Sequence, residues 1–305
     1  MDLRQLRYFV GIVEAGSVSR AAAHLHVAQS ALSQHLARLE AELGTALILR
    51  GQSGVTPTPA GQTLYRHACA ILRQVEVARD DTMSTEAALA GDVAVGLPSV
   101  LSPMLSYRLF MAVRDRHPGI RLRLLDGHSP HLRELLESRR LDLSLLFLAP
   151  PEKGLTVEVL VREELFFLSA DLTRSSIAIE DLAAQPLLLP SLQSGIIRAL
   201  EAEFRLRGLT LRTLGEMDSL SAIKQAAAAG IAGTVLPWSS LYGEELADSL
   251  GRARIEGATL VRPVALCSPV LSQPSLATLA VAAILTEIMR GLVADRKWKG
   301  ASLPD

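Results

Sequence analysis

The sequence predicts an α/β protein with an all-α-rich N-terminal domain, a long linker helix and a two-lobed α/β body. Three observations carry that prediction. Apolar residues recur at steps of three and four up to about residue 88, as on a buried helix face. From Gly91 onward, short apolar runs alternate with helical stretches, the rhythm of sheets covered by helices. The chain is also long and apolar, with 305 residues, 49% hydrophobic and 21% charged. That suits two or three domains with large cores and excludes a disordered or collagen-like chain.

In the N-terminal head, Leu3, Leu6, Val10 and Val13 follow helical spacing, and Gly16 ends that helix. Ser17 caps a second helix over 18–25, whose Ala21, Ala22 and Leu25 face inward. A tight break at His26-Val27 leads into a third, with Leu32, Leu36, Leu39 and Leu43 at steps of four, three and four. Gly44 ends it. Residues 48–56 hold two short apolar-polar runs around a Gly-rich tip, which predicts a hairpin. Thr58 then caps, and Pro59 opens, a helix that reaches about residue 88. Leu64, Ala68, Ile71, Val75 and Ala78 form a heptad seam along it. Such a seam packs either on its own head or on a second copy. The helix projects past the small head core, which favours a dimer seam.

Strands are expected at 93–97, 121–126 and 142–148, with helices at 103–116 and 130–138 between them. Pro150-Pro151 marks a break. Strands follow at 156–161, 164–169, 187–189, 211–215 and 234–236, with helices at 196–207 and 220–229. Mainly parallel sheets with helices on both faces are expected, in two lobes flanking a cleft. The head then covers 1–61, the linker helix and hinge 62–90, and the body 91–305. Within the body, lobe I takes about 91–161 and 267–305, and lobe II about 162–266. The uncharged segment 263–286 is broken by Pro263, Pro269 and Pro274 and is polar at Ser268, Ser272, Gln273 and Ser275. It therefore predicts a strand, a turn and a buried helix, with no membrane span. Asp2, Arg4, Arg7 and Glu14 interrupt any secretory h-region, so a soluble, reduced, cytoplasmic protein is expected.

Enzyme motifs are missing. The chain has no Gly-x-Ser-x-Gly, no Walker loop and no Gly-x-Gly-x-x-Gly. The close histidine pairs, His24/His26 and His128/His131, have no partners at metal-ligand spacing. No metal or cofactor is expected. Cys69 and Cys267, the only cysteines, read as inert packing residues. The net charge of −1 hides an asymmetry, because residues 1–66 carry six Arg against Asp2, Glu14, Glu40 and Glu42, for +2, leaving −3 elsewhere. A weakly basic head permits nucleic-acid binding without requiring it.

The informative run is 18–36. Two short helices share an apolar pocket, alanines sit where they cross, and His26 is of a type that tolerates positive φ in a sharp turn. That is a helix-turn-helix. The outward face of its second helix carries Gln29, Ser30, Ser33, Gln34 and Arg38, side chains suited to base edges and phosphates. An ordinary polar helix face looks the same, so spacing alone does not decide.

Resemblance does. Leu3-Arg4-Gln5-Leu6-Arg7-Tyr8-Phe9, Ala21-Ala22, Ala28-Gln29-Ser30-Ala31-Leu32-Ser33, Leu39-Glu40, Leu43-Gly44, Leu49-Arg50 and Thr56-Pro57-Thr58-Pro59-Ala60-Gly61 together resemble the winged helix-turn-helix head of LysR-type transcriptional regulators. The likeness continues through the linker, Gly91-Asp92-Val93, Leu141-Asp142-Leu143 and residues 230–237. Gly215-Glu216-Met217-Asp218-Ser219 and Ala232 to Pro237 are similar to the nitrogen-assimilation-control-like subgroup. The resemblance implies a non-enzymatic regulator that binds double-stranded promoter DNA and contacts RNA polymerase. It also implies a dimerising linker, assembly as homodimer to homotetramer, and an effector domain of periplasmic-binding-protein-like architecture. Arg50, Gln52 and Ser53 of the wing join the DNA-facing set. Two departures weaken a single head. Ser30 and Gln34 stand where members often have Pro and a basic residue, and the wing tip Gly51-Gln52-Ser53-Gly54 leaves only Arg50 basic. Fewer phosphate contacts make paired heads more necessary.

Serines fall at or near helix starts in the body: Ser99, Ser102, Ser129, Ser194 and Ser219. Free amides there suit a small anion, although serine is also simply a good cap. The resemblance places an effector pocket between the lobes and singles out Ser99, Ser102, His128, Phe147, Ser194 and Ser219. A small polar or anionic effector is expected. The competing reading is a cytoplasmic small-molecule binding protein whose head contacts proteins. A hydrolase or transferase is disfavoured by the missing motifs.

Overall fold

The computed structural model describes residues 1–51, 54–83, 89–148, 151–170, 172–190, 195–243, 249–270 and 273–304. Helix α1 (Leu3–Ala15) opens with a capping box, in which Asp2 accepts from the Gln5 amide while the Gln5 side chain accepts from the Asp2 amide. Gly16 closes it at φ +58°, Ser17 caps α2 (Val18–His24), and His26 makes the turn at φ +54°. Helix α3 (Gln29–Leu43) ends on Gly44 at φ +67°. Leu32, Leu36 and Leu39 are buried with Phe9, Ile12, Ala21 and Ala22. Leu43, expected on the same inward face, is 42% exposed, because α3 outruns the head core by a turn.

Strands β1 (Ile48–Gly51) and β2 (Gly54–Pro57) form the antiparallel wing. Helix α4 (Pro59–Met83) follows, with the Thr58 hydroxyl accepting from the Gly61 amide at 3.0 Å. The expected extension to residue 88 lies outside the described residues. The seam along α4 divides. Leu64 packs on the head core and Ala68 is fully buried within its own chain, whereas Ile71 is 39% and Val75 44% exposed and Ala78 is exposed too.

The body follows in the order β3 (Ala90–Pro98), α5 (Ser102–Arg116), β4 (Gly119–Gly127), α6 (Ser129–Glu137), β5 (Leu143–Leu146) and β6 (Leu155–Ser169). Next come β7 (Ser176–Ala178), α7 (Ile179–Ala183), β8 (Leu187–Leu189), α8 (Gly195–Leu206), β9 (Thr213–Glu216), α9 (Leu220–Ala228) and β10 (Thr234–Pro237). A 3₁₀ turn over Trp238–Leu241 leads to β11 (Gly251–Glu256), β12 (Val261–Pro269), α10 (Leu276–Ala294) and β13 (Ala301–Ser302).

Two expectations fail here. The runs at 156–161 and 164–169 form one strand, β6, with no break between them. Arg162-Glu163 looked like an interruption, but Glu163 is wholly buried because Arg262 and Trp298 satisfy its carboxylate. The sheet is also mixed, and not mainly parallel. β4, β3 and β5 run parallel, whereas β12 is antiparallel to both β5 and β6. Beyond Glu164, β6 leaves β12 and pairs instead with β10 and β11, both antiparallel. One strand thus belongs to both lobes.

Lobe I packs α5 and α10 on its sheet around Val95, Leu105, Leu109, Val281, Leu285 and Trp298. By length and composition α10 could cross a membrane, but its Val281, Ile284, Leu285 and Met289 are buried in this core. The second lobe centres on Phe167, Leu200, Phe204, Ile223 and Val235.

Candidate DNA interface and ligand cleft

The helix-turn-helix is held from three sides. Arg20 donates through Nε and Nη2 to the Ala15 carbonyl at 3.0 and 2.6 Å, tying α2 to the end of α1. Glu40 accepts from the Leu47 and Ile48 amides at 2.8 and 3.4 Å, which fixes the wing to α3. The Val55 amide donates to the Gly16 carbonyl at 2.9 Å. Gly54 stands at φ +114°, where an added Cβ would lie 2.5 Å from that same carbonyl oxygen, so only glycine fits.

This frame presents the α3 side chains outward. Gln29, Ser30, Gln34 and Arg38 are exposed and Ser33 is half-buried. The N-cap residue Ala28 supplies no side-chain hydrogen bond, so the first amides of α3 face outward with their partial positive charge. Arg50 is exposed on β1, and the predicted Gln52 and Ser53 lie outside the described residues. The role of Glu40 was missed. The paired Leu39-Glu40 beside an apolar hairpin was the available clue.

Three contacts dock α4 on the body. Arg73 Nε pairs with Asp142 at 2.8 Å, and its Nη2 donates to the Asp92 carbonyl at 2.6 Å. Asp81 accepts from the Leu276 amide at the start of α10 at 3.2 Å. The second oxygen of Asp142 accepts from the Ala94 amide, so this carboxylate joins the linker to the parallel sheet.

Between the lobes lies a cavity of about 380 Å³. Ser99, His128 and Phe147 line it as expected, while Ser102 and Ser219 do not and Ser194 lies outside the described residues. The Ser102 hydroxyl pairs with Ser106 inside α5, and Ser219 caps α9 by accepting from the Ala222 amide at 3.3 Å. Both are structural serines. Ser99 donates to Asp126, and His128 is the N-cap residue of α6 without a side-chain cap bond. Sequence reasoning missed the charged lining, which includes Arg133, Glu152, Arg198, Asp218 and Arg262. Arg133 reaches Glu137 at 2.9 Å and Glu152 at 3.0 Å. Arg262 sits over the Phe147 ring, its Cζ 3.7 Å from the centroid, and pairs with Glu163 behind the cavity wall. These residues are scattered from 133 to 262, so no local spacing could expose them.

A winged helix-turn-helix carried by a long helix on a two-lobed body with a charged cleft defines a class: DNA-binding regulators with a ligand-binding domain. The "Bacterial regulatory helix-turn-helix protein, lysR family" profile matches residues 3–62, and the "LysR substrate binding domain" profile matches residues 86–290. The chain belongs to the LysR family and is a DNA-binding transcriptional regulator with a substrate-binding domain. The nitrogen assimilation regulatory protein nac of Escherichia coli (strain K12) is 35% identical over 302 residues, covering 98% of this chain and 99% of that one. A full-length OxyR from Pseudomonas aeruginosa, carrying a cysteine-to-aspartate substitution, superposes with a TM-score of 0.76 at 25% identity, over 95% of this chain and 98% of that one. CbnR complexed with its target DNA shares the fold at 22% identity and a TM-score of 0.66, over 95% and 99% of the two chains.

Proposed function

We propose that the chain acts in the cytoplasm as a homodimer, or a homotetramer of two such dimers, whose paired α3 helices read promoter DNA and whose body contacts RNA polymerase. In this reading residues 1–61 bind DNA, 62–90 pair two copies, and 91–305 bind a small polar or anionic effector in the interlobe cleft. One observation carries it: the exposed polar face of α3 belongs to the same chain as an exposed apolar stripe, Ile71, Val75 and Ala78, on the helix just behind it. A head with few basic side chains gains its affinity by engaging two half-sites. Linking two weak modules raises avidity by about 10² to 10⁴ when the geometry fits. The test is a mobility-shift assay with promoter DNA from beside the chain's own gene. A sequence-selective shift at moderate salt is expected, and a shift indifferent to sequence overturns the reading.

A further inference from the structure

We infer that Arg262 is the anion anchor of the interlobe cleft and that the ligand it orients carries a carboxylate; this rests on reading the cleft as the effector site. Arg262 is 9% exposed, yet it lines the cavity. Its Nε and Nη2 both donate to Oε2 of Glu163, at 3.0 and 2.8 Å. Trp298 Nε1 takes the other oxygen of Glu163 at 2.9 Å, and Phe147 covers the guanidinium. Among the described residues Nη1 has no hydrogen-bond partner. One edge of the fork is thus fixed by Glu163, and the remaining nitrogen is the donor left for an occupant of the cavity.

Glu163 already balances the guanidinium charge, so the net attraction for an anion must come from elsewhere. Two helices open on the cavity: α6 through Ser129 and Pro130, and α8 through Gly195 and Ile196. Each N-terminus carries roughly half a positive charge. The Ser129 hydroxyl is a second, independent pointer. Its Oγ is buried without a partner, beside amides that no side chain caps, and such an orphan calls for an absent acceptor. A carboxylate has two oxygens for this pair of donors, Nη1 on one side and the Ser129 hydroxyl on the other. A primary amide offers only one acceptor oxygen and no charge.

The test uses the full chain in thermal-shift and calorimetric titrations. The probes are succinate, glutarate and cyclohexanecarboxylate, each against its amide. The variants are Ser129→Ala and the double variant Arg262→Met/Glu163→Gln, which removes the buried pair together and leaves an acceptor for Trp298. Carboxylates are expected to raise the melting temperature where their amides do not. Their affinity should fall tenfold or more in the double variant and severalfold in Ser129→Ala. Equal shifts from acids and amides, no shift from either series, or an unchanged carboxylate affinity in the double variant overturns the anchor. The cleft reading is judged separately, by whether the low-molecular-weight filtrate of a cell lysate stabilises the wild-type chain. Stabilisation that survives in the double variant sinks the anchor alone, and no stabilisation sinks the cleft reading as well.

Discussion

At the scale of single residues, the proposed base readout rests on α3. Gln29 is exposed at the first position of that helix, with Ser33 one turn behind it. Gln29→Ala should cost about 1–3 kcal/mol at the cognate site and little on random DNA, as measured by fluorescence anisotropy. Equal losses on both would make Gln29 a backbone contact. The thiols make a contrasting case. Burial pushes Cys69 up to about 11 and Cys267 up to about 12. The thiolate is the reactive form, so iodoacetamide at neutral pH should leave both unmodified in the native chain, as read by intact mass. The folded state holds these protons more tightly than the ordinary 9.0. The stabilisation they contribute therefore persists below about pH 9 and is lost as pH rises through 11 to 12. Both cysteines read as packing residues from the sequence. The structural duty of Ser102 and Ser219 did not, because a serine at a helix start looks the same whether it serves the helix or a ligand.

At the scale of elements, the boundaries of α1, α2 and α3 were legible because caps and glycines mark them chemically. Gly16 closes α1, Ser17 opens α2 and Gly44 closes α3. The heptad on α4 was legible as a period but not as a partner. Apolar spacing records that a face is covered, not by what, and Ala68 turned out to be buried within its own chain. The remaining stripe gives the next prediction. Ile71→Glu should convert the proposed dimer to monomer in analytical ultracentrifugation and abolish specific DNA binding, while the body stays folded, because a charge in the proposed interface would be buried unpaired. Dimers that persist with unchanged DNA affinity would make the stripe a mere surface. Arg73 tests the other side of α4. Its pair with Asp142 is 17% and 14% exposed at the two side chains, so screening only partly weakens it. Arg73→Ala should cost about 1–3 kcal/mol in urea unfolding and speed tryptic cleavage after Arg79, near the end of α4.

At the scale of the whole molecule, the two-lobed plan was legible from the alternation of strands and helices. The continuity of β6 was not, since its buried Glu163 is paired by a residue 99 positions away. Glu163→Ala leaves Arg262 buried without its counterion and should cost about 3–5 kcal/mol in chemical denaturation. The double variant Arg262→Met/Glu163→Gln should cost clearly less, and equal losses would show that the charges themselves carry no weight. The antiparallel pairing of β5 with β12 has a consequence during synthesis. The inner edge of β5 ends at Leu146, but the strand that covers it is complete only at Pro269. At 5–20 residues per second the ribosome needs about 6–25 s to make that stretch. For that time the growing chain exposes an apolar strand edge, the kind that recruits other chains. Trp298, the indole that satisfies Glu163, arrives later still. A premature stop before it would leave a nascent product that chaperones must hold and proteases remove, even though the whole winged helix-turn-helix has already been made.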